Sequence, residues 1–281
     1  MIVDSHHHFW DPSRRDYPWM GDDLAAIRKP FGPDELRPLL QANHVDRTVV
    51  VQTISSVDET REFLSTAAKT DFIGGVVGWV DLTDPGVGGT LADLLGGPGG
   101  QNLVGVRHQV HDEPDERWLL RDDVLRGLQA VGDAHLAYDL LVRTRELPSA
   151  HEVARNFPYI RFVIDHIGKP RISAGPRDPA WEQAMAPFAG LANVSCKLSG
   201  MVTEASWTEW TPDDPAPYVH RVLDWFGPER CMFGSDWPVC LLAASYEQVL
   251  DALRFALSDL NATEAEGVLG GNAIRVYRLA R

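Results

Sequence analysis

The residues with most chemistry to offer stand at the start of the chain, in Asp4-Ser5-His6-His7-His8. The apolar opening Met1-Ile2-Val3 reads as a short buried strand, and side chains two apart on a strand share a face. His6 and His8 then point the same way with Asp4 beneath them, while His7 points to the other side. Two imidazoles converging from one strand supply half of a transition-metal site, because neutral imidazole suits zinc, iron, nickel and copper alike. On spacing alone the same histidines also read as satisfied polar groups of a buried strand. The other half of a site has to come from elsewhere in the chain.

Candidates for it end later apolar runs: Val106-Arg107-His108, Ile164-Asp165-His166 and Gly234-Ser235-Asp236-Trp237-Pro238. Strict alternation puts Val104, Val106 and His108 on one face, Ile164 with His166, and Gly234 with Asp236. It turns Arg107 the other way, toward surrounding helices and a structural ion pair. Trp10, Trp79 and Trp237 follow or end such runs, and an indole face stacks on the C–H surface of a sugar as readily as it packs a core.

The elements that must position these groups alternate regularly. Strands are expected at about 47–52, 73–80, 103–109, 136–142, 160–166, 193–198 and 231–236. Helical spacing marks about 33–43, 58–70, 91–95, 122–133, 148–156, 179–190 and 217–226. With the first strand and a helix at the C-terminus this makes eight β/α units, which argues for a closed (β/α)8 barrel over an open sheet, the more so as no glycine-rich dinucleotide fingerprint follows the first strand. Residues 1–281 are expected to form a single domain, with a long loop after the first strand, a possible lid, and an Asn-capped helix closing the C-terminus. In such a barrel the active site lies at the C-terminal strand ends, where the histidines and Asp236 fall.

Composition narrows the partners. A formal charge of −14 speaks against nucleic acid and anionic membranes, both of which need clustered Lys and Arg. Three cysteines without zinc-knuckle spacing point to a reducing compartment, and no stretch is expected to act as a leader or span a bilayer; a cytoplasmic location is the default. Assembly into a homo-oligomer is left open.

The His6-x-His8 pair, His166 and Asp236 in Phe233-Gly234-Ser235-Asp236-Trp237-Pro238 resemble the amidohydrolase superfamily. Asp4-Ser5-His6-His7-His8-Phe9-Trp10, Gly78-Trp79-Val80-Asp81-Leu82, Gly105-Val106-Arg107-His108-Gln109, Asp165-His166-Ile167-Gly168-Lys169-Pro170 and Cys196-Lys197-Leu198-Ser199-Gly200 are similar to its sugar-lactone hydrolase branch, over almost the whole chain. The resemblance implies hydrolysis of an aldonic-acid lactone. Binuclear relatives carry a bridging lysine or carboxylate and two further histidines; here no bridging lysine ends the strand near Val142 and only His166 ends the strands that follow, so one divalent ion, zinc by expectation, is assigned to His6, His8 and His166 with Asp236 at or beside it, while members of the branch that work without metal leave a metal-independent hydrolase as the alternative.

Asp236 is assigned as general base and His108 as a bond to the lactone carbonyl or a hydroxyl. Arg107, Lys169 and Lys197 are further candidates for oxyanion or substrate contacts, and Trp10, Trp79 and Trp237 for stacking. Lowering the pKa of a water from 15.7 to about 7 on zinc is worth roughly 12 kcal/mol, against ~10²- to 10⁴-fold from a general base alone, which ranks metal-assisted attack first. Two competing readings remain: a pyrone-dicarboxylate hydrolase or decarboxylase of the same superfamily, which wants several pocket arginines, and a non-catalytic sugar-binding barrel.

Overall fold

The computed structural model describes residues 1–280. Eight parallel strands lie side by side in sequence order: β1 (Val3–His7), β2 (Arg47–Val51), β3 (Ile73–Gly78), β4 (Leu103–His108), β5 (Ala137–Leu140), β6 (Arg161–Ile164), β7 (Val194–Leu198) and β8 (Cys231–Phe233). The last strand returns to the first through a bridge between His7 and Trp237, with the Asp236 N–H donating to the His6 carbonyl at 2.8 Å and the His8 N–H to the Trp237 carbonyl at 2.7 Å. The expected (β/α)8 barrel is therefore present.

Helices intervene as the 3.6-residue spacing requires. They are α1 (Pro33–Asn43), α2 (Val57–Ala67), α3 (Val87–Gly96), α4 (Asp122–Asp133), α5 (Leu147–Asn156) and α6 (Pro179–Met185). A single turn α7 (Met201–Glu204), then α8 (Ala216–Phe226), α9 (Tyr246–Ala256), α10 (Ala262–Glu266) and α11 (Asn272–Tyr277) complete the set. Starts are set by local chemistry: Ser56 and Asp178 accept from the backbone N–H groups of Glu59 and Trp181, and Ser245 forms a reciprocal capping box with Gln248. No helix among the described residues is long and apolar enough to cross a membrane.

The barrel interior is layered. Its N-terminal end holds Val3, Val49, Val51, Val77, Val104, Ala137, Val163 and Met232, plugged from below by Val276, Tyr277 and Leu279 of the C-terminal segment. Above the valines, Arg107, Asp139, Asp165 and Lys197 fill the centre, each at most 3% exposed. The histidines and Asp236 sit above those, at the mouth.

The tail differs from expectation. Asn272 is not an N-cap, because a wide turn over Gly267–Gly271 runs continuously into α11. Its side-chain amide instead donates to the carbonyls of Pro228 and Cys231, tying the plug to the start of β8. Residues 11–32 form a strap containing one short helical segment, Asp22–Ile27, held at its ends by the pairing of Trp10 with Phe31.

Candidate active site

Two β-bulges decide which side chains face the axis. In β4, Leu103 pairs with Val76 but Gly105 pairs with Val77, so one extra residue is accommodated at Val104. A bulge shifts the phase of the pleat by one, and every later side chain changes face. Arg107 therefore points into the barrel and His108 points out, the reverse of simple alternation. His108 lies among the helices, where Nδ1 accepts from the Trp79 indole at 3.0 Å, Nε2 meets Glu113 Oε1 at 2.8 Å, and the ring stacks on Trp118. It is a packing post and lines no part of the pocket.

A second irregularity in β1 sets the four residues Asp4 to His7 against the three residues Thr48 to Val50 of β2. His6 and His8 face the axis as expected, and His7 turns away onto Thr48. Asp4 is not beneath the histidines. Its carboxylate accepts from Ser235 N–H and Oγ and from the Tyr246 hydroxyl, all within 3.0 Å, and so pins β1 to the β8 end and α9.

The strands end earlier than the apolar runs suggest. β6 stops at Ile164 and β8 at Phe233, after which His166 and Asp236 adopt left-handed backbone conformations, φ 54° and 57°. Val163 lies in the interior layer and Ile164 does not, so alternation carries Asp165 inward. The turn at His166 then swings its ring to the same mouth. Gly200, at φ 62°, leaves the space this ring occupies, and a Cβ there would strike it.

Four donor atoms converge. His6 Nε2 lies 3.2 Å from His8 Nε2 and 3.8 Å from Asp236 Oδ1; that oxygen is 3.4 Å from His8 Nε2 and 3.9 Å from His166 Nε2. Donors on a tetrahedral ion with bonds of about 2.1 Å stand roughly 3.4 Å apart; ligand atoms of His6, His166 and Asp236 all lie within 4.8 Å of one another, a grouping that suits one ion of zinc's size, with His8 Nε2 beside it. The opposite ring nitrogens are engaged: His8 Nδ1 donates to the Val51 carbonyl at 2.8 Å and His166 Nδ1 meets Ser199 Oγ at 2.9 Å, which leaves both Nε2 atoms facing the mouth. Burial pushes His6 and His166 well below the usual imidazole range, keeping them neutral, the form that binds a metal. Burial alone would raise Asp236, but His166 and His8 beside it hold the carboxyl below its ordinary value.

Beneath His6 the charges balance, two against two. Lys197 Nζ lies 2.5 Å from Asp139 Oδ2 and 3.0 Å from Asp165 Oδ1, and Arg107 Nη1 lies 3.0 Å from Asp165 Oδ2 and 3.3 Å from His6 Nε2. Gln52 holds the rest of the Arg107 guanidinium, and the Tyr277 hydroxyl donates to Asp139 at 2.8 Å. Burial would raise Asp165, yet Lys197, His6 and Arg107 around it keep it ionised, well below the ordinary range. Lys197 is thus interior and fully buried, out of reach of a ligand at the mouth.

The mouth opens into a pocket of about 420 Å³ in which His8, His166, Asp236, Arg107 and Lys169 are all exposed to a ligand. That size is ordinary for a small-molecule site. Trp10 and Trp237 do not line it: Trp10 packs against Trp19 and Phe31, and Trp237 against Phe9 and Phe31, each at most 3% exposed. Trp79 is committed to His108. The aromatic walls are instead Trp19 from the strap and Trp207 from the loop after α7. Sequence spacing gave these two no signal, since neither belongs to a strand end. His111 and Asp112, on the segment after β4, line the pocket with Gln109 and Arg143.

A family model described as Amidohydrolase matches residues 3–279. The chain is 40% identical over 294 residues to an L-fucono-1,5-lactonase of Burkholderia ambifaria, covering 99% of this chain and 96% of that one. A crystal structure of a Burkholderia multivorans amidohydrolase with bound zinc superposes with a TM-score of 0.93 at 36% identity, over the full length of both chains. A protein of Acinetobacter baumannii described as a probable 2-pyrone-4,6-dicarboxylic acid hydrolase, 17% identical with a TM-score of 0.79 over 99% of both chains, shares the fold.

Proposed function

Because the chain belongs to the amidohydrolase family, whose model spans residues 3–279, we propose that it opens the ring of a sugar lactone, such as L-fucono-1,5-lactone, to the aldonic acid. The observation that carries this is the convergence of the His6, His8 and His166 Nε2 atoms on Asp236 Oδ1 at the barrel mouth, beneath an open pocket. His6, His8 and His166, with Asp236, would hold one zinc ion, which when bound supplies Lewis acidity and lowers the pKa of a water. Asp236, held ionised, takes a proton from the attacking water and returns it to the ring oxygen as the C–O bond breaks. Arg107 and Lys169, which line the same pocket, stabilise the charge that develops on the carbonyl oxygen.

Charge in the pocket favours a neutral ligand over a dicarboxylate. Of the cations that line it, Arg107 and Lys169 already have carboxylate partners in Asp165 and Glu204, which leaves Arg143 for one carboxylate and none for a second unless those pairs are broken. A dicarboxylate would have to displace them.

Acid release from a panel of aldonolactones and from 2-pyrone-4,6-dicarboxylate, measured on protein of known zinc content, tests the reading. Turnover of an aldonolactone is expected, falling at least ~10³-fold in Asp236→Asn. Turnover confined to the pyrone would reverse it, and ligand binding without turnover of either class would leave a binding protein.

A further inference from the structure

The polar groups lining the pocket divide by whether their hydrogen-bonding capacity is already used. Thr53 donates to Glu59, Thr203 to the Gly200 carbonyl, Lys169 is paired with Glu204, and Arg107 is held by Asp165 and Gln52. On the segments after β4 and β5 the opposite holds. Among the described residues, no hydrogen bond or ion pair engages the Arg143 guanidinium or the Gln109 amide, and His111 Nδ1 is buried without a partner. His111 Nε2 reaches only Asp112, at 3.4 Å.

These unspent groups are firmly placed. The His111 backbone N–H donates to the Leu141 carbonyl at 3.2 Å, which sets the one-turn helix Val110–Asp112 beside the β5 end two residues before Arg143. The Arg143 backbone N–H is itself anchored on Glu146. The proposed hydrolytic groups come from β1 and the turns after β6 and β8, so the pocket has two chemically different sides: one that reacts and one that offers free donors and acceptors.

We propose that His111 and Arg143 form the hydroxyl-reading side of the pocket and determine which sugar lactone it accepts. The inference rests on the lactonase reading above and deepens it. A neutral imidazole offers one donor and one acceptor, and an arginine fork offers donors in a fixed plane, the pair of functions needed to recognise vicinal hydroxyls. Burial first, then Lys169, Arg143 and Arg107, lower the His111 pKa to about 3, so the ring is neutral wherever the enzyme would work. A site whose polar groups expect hydroxyls discriminates against a ligand that lacks them, since those groups are then left unpaired.

The test compares kcat/KM for the best aldonolactone with that for δ-valerolactone, which keeps the reactive ring and lacks the hydroxyls, in wild type, Arg143→Met and His111→Gln. In each variant the ratio of the two constants is expected to fall roughly 10- to 100-fold, chiefly through KM for the sugar. A ratio unchanged within twofold, whether both constants drop together or neither moves, overturns the assignment. Wild-type protein that hydrolyses neither lactone refutes instead the reading on which it rests. Arg143 is exposed, so its variant gives the answer even if His111→Gln folds poorly.

Discussion

Replacing Lys197 by methionine keeps the length of the side chain and removes the charge that separates two buried carboxylates. Lys197, Asp139 and Asp165 are all 0% exposed, and the four-charge interior is neutral only while Lys197 is present. Without it Asp165 keeps Arg107, but Asp139, whose pKa burial already raises to about 6, keeps only the Tyr277 hydroxyl and must stay charged without a partner or take up a proton, either at a cost. Breaking a buried pair from one side costs about 3–5 kcal/mol. With an unfolding entropy of about 2.1 cal/mol/K per residue over 281 residues, the melting temperature should fall by about 5–9 °C. Asp139→Asn added to Lys197→Met removes the orphaned charge and should recover about 1–2 kcal/mol, a coupling measurable by urea unfolding of both single variants and the double. A Lys197→Met loss below about 1 kcal/mol, or strictly additive effects, would refute the argument that this interior is held by mutual charge compensation.

Other consequences can be checked independently. Gly200→Ala forces a Cβ onto the His166 ring at a left-handed position, so zinc retention in equilibrium dialysis should fall while the far-ultraviolet circular dichroism of the fold persists. Ser199→Ala removes the partner of His166 Nδ1 and should weaken zinc binding roughly 10- to 100-fold in chelator competition. His111, neutral when folded with a pKa of about 3 against about 6.5 unfolded, makes the unfolded chain bind more protons between those values. Its burial therefore costs nothing near neutral pH and subtracts stability as the pH falls below the unfolded value. Between pH 7 and about 5 the wild type should lose about 2 kcal/mol relative to His111→Gln in urea titrations, and equal losses in the two proteins would remove His111 as the cause.

The barrel and its mouth were legible because they depend on short-range pattern. Eight apolar runs alternating with helical spacing define the parallel barrel, and polar residues that interrupt the ends of those runs mark the face where chemistry gathers, so His6, His8, His166 and Asp236 stood among the candidates by position, as did His108. What failed was the assumption that alternation continues unbroken. The extra residue at Val104 exchanged Arg107 for His108, and the left-handed turn at His166 brought in a ring that Ile164 would otherwise have accompanied. A bulge leaves almost no mark in a local run of valines, because it is fixed by registry with the neighbouring strand. The same holds for Lys197 and Asp139, whose opposite charges meet across the barrel axis from strands almost sixty residues apart, and for the Trp19 and Trp207 walls, which arrive on loops with no period to betray them. Local side-chain preference writes the elements; only closure of the sheet determines which of their faces look inward, since that depends on partners the chain meets far along its length.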